Sequence, residues 1–269
     1  MGFADLHMHS RKSDGSLTPL QIENYHTSMN EHYLNRGKQK FRDIIGISDH
    51  DTIEGVLQAA EMVYKSGNMA APIIIVNEEI TSRQGHIVAV NIKKAVAPGM
   101  SVEDTITAIH EQGGLAVAAH PYTGWYQVFR QFKDMRGVQD LIYEHDFDAV
   151  EVLNGNVVLW QANMIAKNRL ADTDRFALVG SSDAHYSNAF SAYTHFPGTT
   201  VADLYGAIKD KTTEACGKVH SPRVMFKGIK EHLNIKRKEP KETWPKMSWE
   251  REVPKLQLKL LQAIASIMI

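Results

Sequence analysis

The sequence predicts an α/β fold in which a largely parallel sheet is covered by helices. Three observations carry this: seven short apolar runs recur along the chain, helical patterns fill most of the gaps, and ligand-type polar residues gather at one end of each run. Near-continuous apolar character marks strands buried on both faces. Alternation of strand and helix is the signature of an α/β fold.

The runs span residues 3–9, 44–50, 73–79, 86–90, 115–120, 149–154 and 176–185. Helical patterns cover 17–35, 52–65, 101–112, 160–171 and 201–211. The first has Ser16 and Thr18 as candidate caps and Pro19 in its first turn. The third opens at Ser101 with Asp104 three positions on, a capping-box-like start, and stops at Gly113 and Gly114. In six of the seven runs the polar cluster lies at the C-terminal end, the edge where β/α barrels keep their active sites. The exception fits the same picture. Only residues 80–85 lie between Glu79 and His86, too few for a parallel crossover, so these two runs form an antiparallel hairpin that brings both residues to one edge.

The 269 residues suffice for one large α/β domain or two ordinary ones, and 43% hydrophobic with 23% charged residues is the balance of a soluble protein with a core. A net charge of -1 provides no global basic field, so nucleic-acid binding would need a local patch. The single cysteine, Cys216, excludes an internal disulfide and fits a reducing compartment. The N-terminus lacks a signal-peptide pattern, Leu6 breaks a Gly2 myristoylation pattern, and no apolar stretch reaches the ~20 residues that span a bilayer. A cytoplasmic protein without membrane contact is expected.

Thirteen histidines are unusual, and their placement matters more than their number. The candidate metal ligands are His7, His9, Asp14, His50, Glu79, His86, His120, Asp183 and His185. His7 and His9 alternate along a strand and so share a face, and Asp183 and His185 repeat the spacing. Taken singly, each has a plain structural reading: a strand end, a helix cap or a solvated charge. Their gathering at one edge points to a metal site, and mixed imidazole and carboxylate donors suit Zn, Mn or Fe rather than Ca or Mg alone. A Ser-His-Asp triad drawn from Ser181, Ser182, Asp183 and His185 fails, because neighbours on one strand cannot form that geometry.

The ordered segments Asp5-Leu-His-Met-His9, Ser13-Asp-Gly15, Ser48-Asp-His-Asp51, Glu78-Glu-Ile-Thr81, Gly85-His86, Ala119-His-Pro121, Val150-Glu-Val-Leu-Asn-Gly155 and Gly180-Ser-Ser-Asp-Ala-His185 resemble the motifs of the PHP (polymerase and histidinol phosphatase) superfamily over about residues 3–215. The resemblance implies a distorted (β/α)7 barrel of the PHP type with a C-terminal extension. It implies two or three divalent ions (Mn, Fe or Zn). One would be held by His7, His9 and Asp183, with Glu79 bridging to a second on His86 and His120. A third would use Asp14, His50 and His185. Asn77 and Glu78 stand where the family pattern has Gly-Val, so Glu78 stays open as an alternative to Glu79. Asp49 and Asp51 are expected to orient His50 or cap the next helix.

The implied activity is hydrolysis of a phosphoester by a metal-bound hydroxide held at Glu79, Asp183 and His185. Candidate phosphate contacts are Arg11, Lys12, Arg83, Arg130, Lys133 and Arg136. Residues 1–226 form the expected domain, with 122–145 as a candidate lid. In the lid, Trp125, Tyr126, Phe129 and Phe132 alternate with cations, which suits either base stacking or an amphipathic helix packed on the barrel. Residues 227–255 read as an extended charged linker and 256–269 as a short amphipathic helix. The leading substrate is a small phosphorylated metabolite or nucleotide. The alternatives are trimming of short RNA or DNA from the 5′ end and a non-catalytic metal-binding regulator. Oligomeric state is left open.

Overall fold

Capping chemistry sets the helix starts. Thr18 accepts from the Gln21 N–H while the Gln21 side chain accepts from the Thr18 N–H, so α1 (Pro19–Leu34) opens on a closed capping box. Ser101 caps α3 (Val102–His110) through the Asp104 N–H, as its sequence predicts. α2 (Glu54–Ser66) begins at Ile53 without a side-chain cap, and α4 (Trp160–Arg169) and α5 (Val201–Lys209) follow the remaining helical patterns. The computed structural model describes residues 1–124 and 136–238.

Every apolar run contributes a strand: β1 (Gly2–Asp5), β2 (Ile44–Ile45), β3 (Ile73–Ile74), β4 (Glu78–Thr81), β5 (His86–Val90), β6 (Leu115–Ala118), β7 (Ala149–Asn154) and β8 (Ala177–Ser181). Two more, β9 (Ala192–Phe196) and β10 (Glu214–Gly217), lie outside the runs. The expected seven-stranded barrel is corrected. The strands form two five-stranded mixed sheets, β10-β9-β1-β2-β3 and β4-β5-β6-β7-β8, with no closed sheet among the described residues. The expected β4/β5 hairpin is present, with Thr81 opposite His86.

Side chains at the seams explain why the ladder does not close. The run 73–79 splits into β3 and β4, one in each sheet, at Asn77. The Asn77 amide donates to Leu6 O (2.9 Å) and accepts from Asn91 N (3.0 Å), taking the place of a strand's backbone partners. Gly46 makes room for it, since a Cβ there would fall 1.9 Å from Asn77 Nδ2. Between β8 and β9 the Thr194 hydroxyl accepts from Gly180 N (3.1 Å) and donates to Gly180 O (2.8 Å), so a side chain replaces the ladder. Two isolated bridges, Met8 to Ala184 and His50 to Glu79, also join the sheets, both at the edge that carries the candidate ligands.

Three apolar clusters fill the molecule. One draws on both sheets and α5 (Leu6, Val88, Val117, Val179, Phe196, Leu204), one packs α3 and α4 on the second sheet, and one packs α1 and α2 on the first. Each fully buried Ile or Leu contributes about 1.5–3 kcal/mol. The stretch from residue 227 is corrected as well. Instead of starting an extended linker, its first part belongs to α6 (Pro222–Lys238), whose Met225 is buried in the third cluster. Residues 239–255 and 256–269, and 125–135 of the candidate lid, lie outside the described residues. Among the described residues no helix is long and apolar enough to cross a membrane.

His26 is fully buried on α1 against Phe41 and Phe190. Its Nδ1 is 2.9 Å from Ile22 O, and its Nε2 has no hydrogen-bond partner. Burial, aided by Arg42, pushes its pKa down to about 3. The unfolded chain takes up that proton near pH ~6.5 and the folded protein does not, so stability falls as pH drops through that window, by up to ~1.4 kcal/mol per pH unit. In urea melts between about pH 7 and about pH 4, His26→Phe should lose less stability than the unaltered protein. Equal slopes would show that His26 does not contribute.

Candidate metal centre

Glu79 lies on β4, is 1% exposed, and stands at the centre of five imidazoles. Its Oε2 is 3.2 Å from His7 Nε2, 3.2 Å from His9 Nε2 and 3.3 Å from His50 Nδ1. Its Oε1 is 2.9 Å from His86 Nδ1 and 3.1 Å from His120 Nε2. Asp183 Oδ1 joins the same group, 3.5 Å from His7 Nε2 and 3.2 Å from His9 Nε2. A second carboxylate, Asp14, sits beside it: 3.0 Å from His185 Nε2, 3.9 Å from His50 Nε2 and 3.5 Å from His9 Nδ1. All nine candidate ligands from the sequence therefore meet in one cluster.

Strand periodicity brings them there. His7 and His9 alternate beyond β1, and Glu78 and Glu79 alternate on β4 and turn opposite ways. Glu78 faces away from the histidines, and its Oε2 accepts from Val96 N at 2.8 Å. Its burial, with Asp51 nearby, raises its pKa to about 7. The backbone at the strand ends is strained: Asp51, His120 and Asp183 hold φ of 54°, 28° and 48°, the left-handed region that ordinary side chains avoid. Gly15, after Asp14, lies so close to the first strand end that a Cβ would fall 2.2 Å from His9 O.

Burial by itself would neutralise the carboxylates, yet the surrounding histidines hold all three well below the usual range. His50, His7 and His86 act on Glu79; His7, His9 and His185 on Asp183; and His185, His50 and His9 on Asp14. Burial likewise works against charging His9, but Asp14, Asp183 and Glu79 raise its pKa to about 10. For His50 burial wins and lowers it to about 4. The donor set fits divalent cations on a direct observation. The Nε2 atoms of His7 and His9 and the Nδ1 of His86 are buried without a hydrogen-bond partner, though each lies within 3.5 Å of carboxylate oxygens. Converging lone pairs of this kind are what a cation satisfies. Within this cluster, four sets have all their ligand atoms within 4.8 Å: His9, Asp14, His50 and His185; His7, His9 and Glu79; His7, His120 and Asp183; and His50, Glu79 and His86.

The supporting shell differs from its expectation. Asp49 does not orient His50. It accepts from Ser10 N (2.7 Å), Ser10 Oγ (2.6 Å) and Ser13 Oγ (2.7 Å), and so holds the loop that carries Asp14. Asp51 does not cap α2, but accepts from Thr81 N at 2.7 Å and fixes the end of β4. Sequence reasoning missed Glu151 and Asn154. Glu151 Oε1 is 3.2 Å from His7 Nδ1, and its Oε2 accepts from His120 N and Asn154 Nδ2, both at 2.8 Å. Asn154 Nδ2 also reaches Asp183 Oδ2 at 3.0 Å. The available signal was a carboxylate inside the apolar run 149–154. Of the candidate phosphate contacts, Arg11 Nε donates to Ser16 O, Lys12 pairs with Glu54 at 3.3 Å and Arg83 Nε donates to Gly99 O. Arg136 is exposed, and its carbonyl accepts from His86 N at 2.8 Å. Arg130 and Lys133 lie outside the described residues.

No family model matches the sequence. The chain is 31% identical over 170 residues to an uncharacterized protein of Methanocaldococcus jannaschii, a stretch that takes in 62% of this chain and 90% of that one. Among solved structures it matches a two-domain protein from Bacteroides vulgatus containing a predicted PHP-like metal-dependent phosphoesterase, with a TM-score of 0.57 and 20% identity. That match covers 81% of this chain and 65% of the other, so the chain spans less than two thirds of that protein's length. It is also similar to a lesion-specific endonuclease from Pyrococcus furiosus, with a TM-score of 0.47 and 12% identity over 92% of this chain and 72% of that one. The chain therefore belongs to one family with the Methanocaldococcus protein, and it shares its fold with the protein that contains a predicted PHP-like metal-dependent phosphoesterase.

Proposed function

We propose that this protein is a metal-dependent phosphoesterase that acts on a terminal phosphoryl group, with a phosphorylated metabolite or nucleotide as its smallest substrate. The observation that carries the reading is the convergence of five imidazoles on the Glu79 carboxylate, with Asp14 and Asp183 completing the donors. His7, His9, Glu79 and Asp183 would hold one divalent ion. Glu79, His86 and His120 would hold a second, and Asp14, His50 and His185 a third. Bound there, such ions supply Lewis acidity and positive charge for the attacking water and the phosphoryl oxygens. Among the metals named by the donor chemistry, Mn, Fe and Zn suit mixed imidazole and carboxylate ligation.

The remaining contributions come from the protein. Glu151 fixes the His7 ring through Nδ1, which leaves Nε2 for the cluster. Asn154 steadies Glu151 and Asp183 together. Asp49 keeps the Ser10–Ser13 loop closed behind Asp14, so the donors are positioned before substrate arrives. Lys12, two residues before Asp14, and Arg136, whose carbonyl accepts from His86 N, are candidates to meet a phosphate beside the donors. The full donor set favours catalysis over a purely regulatory metal site. A second reading, removal of nucleotides from the 5′ end of a short strand, is favoured by the exposed Arg223, Lys227 and Lys230, which lie at helical spacing on α6.

Elemental analysis of gently purified protein should find at least two Mn, Fe or Zn ions per chain, where about two is the minimum for a shared carboxylate. Less than one per chain after reconstitution would sink the ligand assignment. Glu79→Gln should lower metal content and cut turnover by roughly 10²-fold or more while the fold survives. Glu78→Gln should be mild, since Glu78 bonds a backbone amide away from the cluster; the opposite ranking would exchange their roles. Against a panel of phosphomonoesters, nucleotides and short oligonucleotides with Mn²⁺, the protein should release inorganic phosphate or a nucleotide. Inertness on the whole panel would overturn the activity.

A further inference from the structure

We propose that α6 is the docking surface for the sugar-phosphate backbone of a single nucleic-acid strand whose end enters the metal centre. The inference rests on the phosphoesterase reading and extends it from one phosphoryl group to the nucleotides that follow.

α6 carries six cationic side chains and one carboxylate, in a chain whose net charge is -1. Arg223, Lys227 and Lys230 stand at i, i+4 and i+7, the spacing of one helix face, and all three are exposed. Phe226 lies beside this stripe and is 36% exposed. The opposite face is anchored. Met225 is buried, Ile229 packs on the same apolar cluster, and Gly228 sits so tightly on Tyr186 that a Cβ would fall 2.1 Å from the ring.

The anchor points fix α6 next to the donors. Tyr186 and Ser187 directly follow His185 in the chain. Tyr186 packs under Gly228 and places its hydroxyl 3.0 Å from His220 Nε2. Ser187 Oγ donates to Glu231 Oε2 at 2.7 Å, and Lys227 Nζ is 3.8 Å from Glu231 Oε1. The single carboxylate of the helix is therefore tied to the loop after His185, and Lys227 pairs with that same carboxylate.

The chemistry selects the occupant. A row of exposed cations meets a row of phosphates, and an exposed aromatic among them offers a base a stacking surface. A lipid surface would need an outward apolar face, and here Met225 and Ile229 are turned into the core. An acidic protein partner would match the charge but would leave Phe226 without a stacking role.

The test is binding, measured by fluorescence anisotropy of a 3′-labelled, 5′-phosphorylated single strand of about ten nucleotides across a salt series. The unaltered protein should bind with a steep salt dependence. Arg223→Glu, Lys227→Glu and Lys230→Glu together should weaken binding roughly tenfold or more and reduce the log-log salt slope by about two, given ~0.7 per phosphate contact on single strands. The milder pair Lys227→Gln and Lys230→Gln should fall between. Phe226→Ala should weaken binding without changing the slope. Lys93→Glu with Lys94→Glu, exposed cations elsewhere, should change neither. Circular dichroism confirms that each variant is folded. Absence of strand binding, an unchanged slope in the triple variant, or binding to phosphatidylserine vesicles or an acidic polypeptide in place of the strand would overturn the proposal. Hydrolysis of small phosphoesters by a protein whose α6 variants bind strands normally would remove the docking surface alone. Loss of strand binding in the variants of a protein inert on every phosphoester would uphold the docking surface and remove the phosphoesterase reading.

Discussion

A carboxylate with no access to water is held at the meeting point of two sheets by five imidazole rings, and much of the architecture serves that arrangement. Removing an ion such as Glu79 from water costs several kcal/mol, and breaking one partner of a buried pair costs about as much. Glu79 is tolerated because His7, His9, His50, His86 and His120 approach it within 3.3 Å from separate stretches of chain. Each ring comes from a different strand end or its extension, apart from His7 and His9, so the charge balance exists only when both sheets are assembled.

The seams between the sheets follow from this demand. At His50 and Glu79 the two sheets join by a single bridge, and at Met8 and Ala184 by another, both directly beside ligands. Asn77 and Thr194 complete the joins with side-chain hydrogen bonds where a continuous ladder would have forced regular strand geometry. Regular geometry would not supply the positive φ values of Asp51, His120 and Asp183. Leaving the ladder open permits strain at the strand ends, and the buried network of Glu151, Asn154 and Asp49 holds that strain in place.

Charge is distributed with similar economy. The donors are buried and balanced among themselves, while exposed cations concentrate on α6, anchored at the residues that follow His185. A neutral total thus conceals a local basic face. Long-range fields from such a face raise the encounter rate of anionic ligands even when net charge is near zero.

Much was legible in the sequence. Apolar runs and helical gaps marked all the strands that carry ligands, because strands buried on both faces leave an unbroken hydrophobic signal. The capping residues Thr18 and Ser101 announced their helices through local hydrogen bonds, and the short 80–85 connection dictated the hairpin joining Glu79 to His86. The nine candidate ligands could be picked out because histidine and carboxylate recur together at strand ends, and the structure brings these side chains into one cluster. Other features depended on contacts between residues distant in sequence. Strand alternation separates Glu78 from Glu79, but only the packing of β4 decides which of the two meets the histidines. Asp49 bonds a loop some 39 positions away rather than its neighbour His50, and Glu151 reaches His7 across 144 positions. Closure of the sheet was decided by Asn77 and Thr194 replacing backbone partners, and the basic stripe gained its meaning only when Gly228 docked α6 on Tyr186. Local chemistry fixes periodicity and caps, whereas partner choice for a buried polar group is settled by whichever chain segment the assembled core brings within hydrogen-bond reach.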